Sequence, residues 1–267
     1  MDSAVSAPAR IKTIYLTIDD GPSADMTAKV EYLAACSMPA VFFCVGEQLE
    51  KRPDHAIRAI QRGFVIGNHS TTHPRFSETP LEECCREIAA TDRIIDGLYR
   101  TAETVRAVKW FRFPFGDKGD LKRGLVFSAK PPDRSRKDYL QSFLRELGYD
   151  QPAFPGVTYP FYHEAELLDD VDWHWTYDVM EYATFQPRSI LHPRSLFGPR
   201  TLSDVLARMD ERRPSDSRGR LPRRPRWLGE PGSDEIVLIH DHDETAALFA
   251  PIVERLRTKP IRFGAAA

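Results

Sequence analysis

The chain has 267 residues, 42% hydrophobic and 28% charged, with a formal net charge of -2. Such a composition suits a globular protein with a sizeable core, and the length suits a single α/β barrel. The near-neutral balance excludes a global field toward nucleic acid, and the longest apolar run, Ala40 to Val45, is far too short to span a bilayer.

Strand-like and helix-like patterns alternate from the start. Ile14-Tyr15-Leu16, rich in β-branched and aromatic residues, predicts a strand that breaks into a turn at Asp19-Asp20-Gly21-Pro22. Val30, Leu33 and Ala34 give helical spacing between Met26 and Cys36, and Ala40 to Val45 reads as a second strand. Leu49 to Gln61 is helical again, Gly63 fits its C-terminal cap, and Phe64-Val65-Ile66 reads as a third strand. Thr79 is placed to cap a helix that has Pro80 first and runs to about Tyr99. Lys109 to Phe113 reads as a fourth strand.

Two stretches interrupt this rhythm, at about 117–162 and 192–233, and both read as loop insertions within one domain spanning 1–267. The first carries a helix from Lys137 to Leu147, closed by Gly148. The second carries a helix from Leu202 to Arg212 and then an Arg/Pro-rich run to Arg226, read as a solvated loop or as a lid for an anionic group. The pattern resumes with a strand at Glu235 to Ile239, an amphipathic helix at Thr245 to Arg257 and a short strand at Lys259 to Phe263. The βα order predicts a parallel sheet with helices outside it, as a barrel or a doubly wound sheet. Cys36, Cys44, Cys84 and Cys85 lack zinc-knuckle spacing and read as free thiols. Met1 to Lys12 holds no apolar leader, which gives a cytoplasmic expectation.

Polar residues collect where the strands end. Adjacent Asp19 and Asp20 repel each other unless a cation is shared between them. His69 and His73, at i and i+4 behind the third strand, are able to hold a divalent metal together. One carboxylate and two imidazoles form a donor set with open positions, as a catalytic metal requires. Arg112 lies at the end of the fourth strand, where it would pair with Asp19. His240 ends the strand Ile236 to Ile239, and Asp172-Trp173 joins an acid to a large aromatic. His242 reads as structural or surface.

In this order the segments Thr17 to Pro22, His69 to His73, Arg112 to Phe115, Asp169 to Trp173 and Leu238 to His240 resemble the five motifs of the NodB-type polysaccharide deacetylases, carbohydrate esterase family 4. The resemblance runs from about Ile11 to Phe263. It implies a distorted (β/α) barrel with about seven repeats. It also implies a metal-dependent N-deacetylase acting on N-acetylglucosamine-containing glycans. Under it Asp19 is the catalytic base, and Asp20, His69 and His73 are ligands of a divalent metal: Zn2+, or alternatively Co2+ or Ni2+. Arg112 tethers the base, the backbone N–H of Phe115 helps hold the oxyanion, and Leu238 walls the acetate-methyl pocket. His240 is the general acid, with Asp172 orienting it and Trp173 lining the groove. The sequence departs from the family at Ile18 (usually Phe), at Phe115 (usually Tyr) and in longer spacers on either side of Trp173. Those spacers leave open a metal-dependent amidase or deformylase acting on a small C–N substrate. A glycosidase would leave the two histidines unexplained, and the complete set of polar residues argues against a non-catalytic carbohydrate-binding barrel.

Overall fold

The computed structural model describes residues 10–120, 134–186, 198–211, 228–229 and 232–266. The Arg/Pro-rich run from Arg212 to Arg226 therefore lies outside the described residues. The central strand is β1 (Lys12–Asp19), flanked by β2 (Ala40–Cys44), with β3 (Val65–Asn68) beyond it. On its other side lie β5 (Glu235–His240) and then the short β4 (Tyr177–Asp178). The closing strand β6 (Ile261–Phe263) also pairs with β1, and every pairing is parallel. Beyond β3 the sheet continues only as single parallel bridges, from Asn68 to Phe111 and from Phe111 to Asp172. The expected fourth strand at Lys109 to Phe113 is thus reduced to one bridged residue. No hydrogen-bonded pairing among the described residues joins Asp172 to β4, so the distorted barrel is an open one.

Successive side chains of a strand face opposite ways, and that period sets the whole layout. Ile14, Leu16 and Ile18 of β1, Ala40, Phe42 and Cys44 of β2, and Val237 and Ile239 of β5 form the outer core. Helices α1 (Met26–Ala35), α3 (Pro53–Gln61), α4 (Leu81–Thr101), α7 (Leu202–Asp210) and α8 (Ala246–Arg257) cover it through residues such as Val30, Ile60, Ile95, Val205 and Phe249. The intervening positions turn inward. Val41, Phe43 and Ile236 meet Trp110, Phe154 and Trp173 there. The same alternation points Thr17, Asp19, Leu238 and His240 to the inner side.

Local differences from the sequence reading have local causes. The segment from Leu49 to Gln61 is two helices, α2 (Gly46–Lys51) and α3, because Pro53 starts a new one. Thr79 does not cap α4; its hydroxyl donates to the Arg75 carbonyl, and Pro80 occupies the cap position. The insertion helix α5 (Arg134–Glu146) ends before Gly148, whose φ of 81° only glycine adopts cheaply. It is followed by the single-turn α6 (Pro160–Glu164). The four cysteines are free. Among the described residues no helix is long and apolar enough to cross a membrane.

Candidate active site

β1 delivers Asp19 to the end of the sheet, in register with Phe43 of β2 and His240 of β5. One residue on, Asp20 takes a left-handed backbone with φ of 72°, which turns its side chain away from its neighbour's. His69 follows β3 directly, and the loop to His73 is folded back by a carboxylate of α4. Glu87 Oε2 accepts the N–H groups of Thr71 and Thr72 at 2.8 and 2.7 Å, and its Oε1 accepts the Thr72 hydroxyl. As a result His69 Nε2 and His73 Nε2 stand 3.3 and 3.1 Å from Asp20 Oδ1. These three residues form a group whose ligand atoms all lie within 4.8 Å of one another.

The proton inventory shows what this cluster is suited to hold. His69 Nδ1 lies 2.7 Å from the Arg112 carbonyl, which only accepts, so Nδ1 carries the proton and Nε2 presents a lone pair. Asp20 Oδ1 is buried and has no hydrogen-bond donor. Two lone pairs that close repel unless a cation lies between them, and the donor set fits a divalent metal. Burial alone would raise the Asp20 pKa; the surrounding imidazoles, His242 first through its hydrogen bond and then His69 and His73, outweigh it and hold the carboxyl well below its usual range.

Asp19 is held differently. Fully buried Arg112 donates from Nη1 to Asp19 Oδ1 at 2.8 Å and to the Thr17 hydroxyl at 2.7 Å, and from Nε to the Trp173 carbonyl. Asp19 Oδ2 is left facing the cluster, 3.7 Å from His69 Nε2. Across the opening, His240 Nδ1 donates to Glu181 Oε1 at 3.0 Å. The cavity between these groups measures about 310 Å³ and is lined also by Phe115, Trp175, Leu238 and His242. A second cavity, of about 380 Å³, opens beside the starts of β2 and β3, and neither a carboxylate nor an imidazole lines it.

The sequence profile of the polysaccharide deacetylases matches residues 6–150, more than half of the chain. The chain belongs to the polysaccharide deacetylase family. A peptidoglycan-N-acetylglucosamine deacetylase of Bacillus cereus is 34% identical to it over 115 residues, 43% of this chain and 40% of that protein. A chitooligosaccharide deacetylase of Sinorhizobium fredii is 33% identical over 144 residues, 50% of this chain and 63% of that one. The matched region thus spans about half the length of these relatives. A carbohydrate esterase family 4 pseudoenzyme from Bacillus anthracis superposes with a TM-score of 0.57 at 17% identity, over 96% of this chain and 64% of the other. That likeness shows the shared fold.

Within this deacetylase-family chain, most of the residues picked from the motifs meet at one opening. Asp19, Asp20, His69, His73, Phe115, Leu238 and His240 all line the cavity, and Arg112 lies directly beneath it. Asp172 and Trp173 do not. Asp172 accepts from Lys118 Nζ at 2.9 Å and Gln141 Nε2 at 2.7 Å, inside a buried network that ties the first insertion to the sheet. Trp173 is 1% exposed and packs on Phe43, Trp110 and Phe154, so it is core. Their expected places are filled by Glu181 and Tyr182, beside His240, and by Trp175 at the cavity wall. The signal was present: Glu181-Tyr182 repeats the acid–aromatic doublet of Asp172-Trp173, just behind Trp175 and Asp178. His242, read from the sequence as structural or surface, instead lines the cavity, and its Nε2 lies 2.7 Å from Asp20 Oδ2.

Proposed function

We propose that the site is that of a metal-dependent N-deacetylase acting on glycans that contain N-acetylglucosamine. The observation that carries this is the convergence of Asp20 Oδ1, His69 Nε2 and His73 Nε2, flanked by a tethered acid, Asp19, and an acid-paired imidazole, His240. The activities of the Bacillus cereus and Sinorhizobium fredii relatives support the glycan class.

A divalent cation held by Asp20, His69 and His73 (zinc, or else cobalt or nickel for this donor set) would supply Lewis-acid polarisation of the amide carbonyl. The chain's own residues do the rest. Arg112 occupies one oxygen of Asp19 and aims the other at the cavity, where it takes the proton of the attacking water. Phe115 lines the cavity, and its backbone N–H is the donor this reading assigns to the developing oxyanion. An amide nitrogen leaves only when protonated. Burial alone would lower the His240 pKa, but the Glu181 charge and hydrogen bond, with Asp20 and Asp178, push it up to about 10. His240 therefore carries its proton at neutral pH and delivers it from Nε2, since Nδ1 is engaged by Glu181. Trp175 offers an aromatic wall suited to a sugar face.

Mass spectrometry tests the reading. Zinc-loaded protein is incubated with chitooligosaccharides, peptidoglycan fragments, UDP-N-acetylglucosamine and an N-formylated small amide. Loss of an acetyl group from a glycan, abolished by chelation, is the expected result. Turnover of the N-formyl compound alone would replace the glycan with a small-molecule substrate, and turnover that survives chelation would remove the metal from the scheme.

A further inference from the structure

Asp20 has two carboxylate oxygens, and they meet different neighbours. Oδ1 faces His69 and His73, whereas Oδ2 lies 2.7 Å from His242 Nε2. The second oxygen only accepts when ionised, so Nε2–H of His242 is the donor. His242 is itself held firmly. Its ring lies edge-on to Phe185 and beside His240, with centroids 5.3 and 5.5 Å away, and its carbonyl accepts from Thr245. The two loops that carry Asp20 and His242 are clasped by the residue between the histidines. Buried Asp241 accepts from the Ser23 N–H at 2.8 Å and from the Ser23 hydroxyl and the Lys29 ammonium. The loops approach so closely that a Cβ at Gly21 would lie 2.5 Å from Asp241 Oδ2.

Resting on the reading of Asp20, His69 and His73 as a metal site, we propose that His242 is a positioning residue for that site. It saturates Asp20 Oδ2, keeps the carboxylate from rotating or binding through both oxygens, and presents the orphaned Oδ1 to the cation. It is not itself a ligand: the group with ligand spacing comprises Asp20, His69 and His73 and leaves His242 out. Outer partners that orient a ligand in this way are worth about 10–100-fold in metal affinity. His242 performs for Asp20 the service that the Arg112 carbonyl performs for His69.

The test measures Zn2+ affinity by competition with a fluorescent chelator, for the wild type, His242→Ala and His242→Gln. Gln places an N–H donor near the position of Nε2. His242→Ala should bind Zn2+ about 10–100-fold more weakly, and His242→Gln should recover most of the loss. Co2+-loaded wild type and His242→Ala should show the same number of imidazole ligands by X-ray absorption. Unchanged Zn2+ affinity in His242→Ala, failure of His242→Gln to recover it while the metal-free Tm matches wild type, or loss of an imidazole ligand in His242→Ala would each overturn the proposal. Wild-type protein that binds neither ion overturns the underlying metal reading together with this one. Wild type that binds, with His242→Ala binding equally, overturns this one alone.

Discussion

Asp19 and Asp20 are chemically identical and adjacent, yet one faces a guanidinium and the other three imidazoles. Their replacements should therefore fail differently. Asp19→Asn is expected to keep bound zinc and to lose about 10²–10⁴-fold in turnover, the usual worth of a positioned base. Asp20→Asn is expected to lose the metal first; zinc content measured beside activity checks both. The acids near His240 offer a sharper contrast. Glu181→Gln keeps an acceptor for Nδ1–H but removes the charge that raises the imidazole pKa to about 10. NMR titration of the metal-free protein should show the His240 pKa falling, and the alkaline limb of the activity profile should move down with it. The sign for stability follows: a pKa raised from 6.5 to about 10 gives stabilisation fully present below pH 6.5 and lost as pH climbs through about 10. Asp172→Asn should leave that limb in place and instead lower Tm, because it removes charge from a buried network with Lys118. The two acid–aromatic doublets look alike in one dimension; only the side-chain partners, far away in sequence, distinguish the one beside the histidine from the one in the core.

At the level of elements, strands and long helices are legible through period and composition, whereas the pieces that aim the candidate metal-binding residues are not. β1, β2 and β5 carry alternating apolar residues dense enough to read directly, and α4 and α8 show helical spacing along their length. The segment around Phe111 reads as a strand because its apolar run satisfies β-propensity, while most of its backbone finds no ladder partner. Glu87 is the opposite case. On α4 it reads as one more helix-face acid, but it is 6% exposed and binds the turn between His69 and His73. Glu87→Ala leaves the part-buried N–H groups of Thr71 and Thr72 without this acceptor and frees the turn they hold. Lower Tm and weaker zinc binding are both expected, measurable by calorimetry and chelator competition. Glu87→Gln retains a carbonyl acceptor and should lose much less. Gly67 shows the same dependence on unseen neighbours: a Cβ there would lie 2.6 Å from the Phe43 ring, which lies against Arg112.

For the whole molecule, the site exists only where separate strands end together, and on the proposed metal reading removal of a cation should leave that frame standing. Chelation is expected to abolish deacetylation while far-ultraviolet circular dichroism stays nearly unchanged, and added zinc should restore activity. Unfolding on chelation would make the cation a structural element instead. The parallel order that gathers these ends also sets when they meet during synthesis. β1 emerges first and finds β2 quickly, but its other neighbours, β5 and β6, begin at Glu235 and Ile261. Asp19 therefore waits for His240 with one edge of its strand unsatisfied while the intervening chain is made. Such late, non-local closure is slow and exposes an apolar edge to other chains. A nascent chain halted before β5 should accordingly be captured by holding chaperones, and release should coincide with the appearance of Glu235 to His240 outside the ribosome.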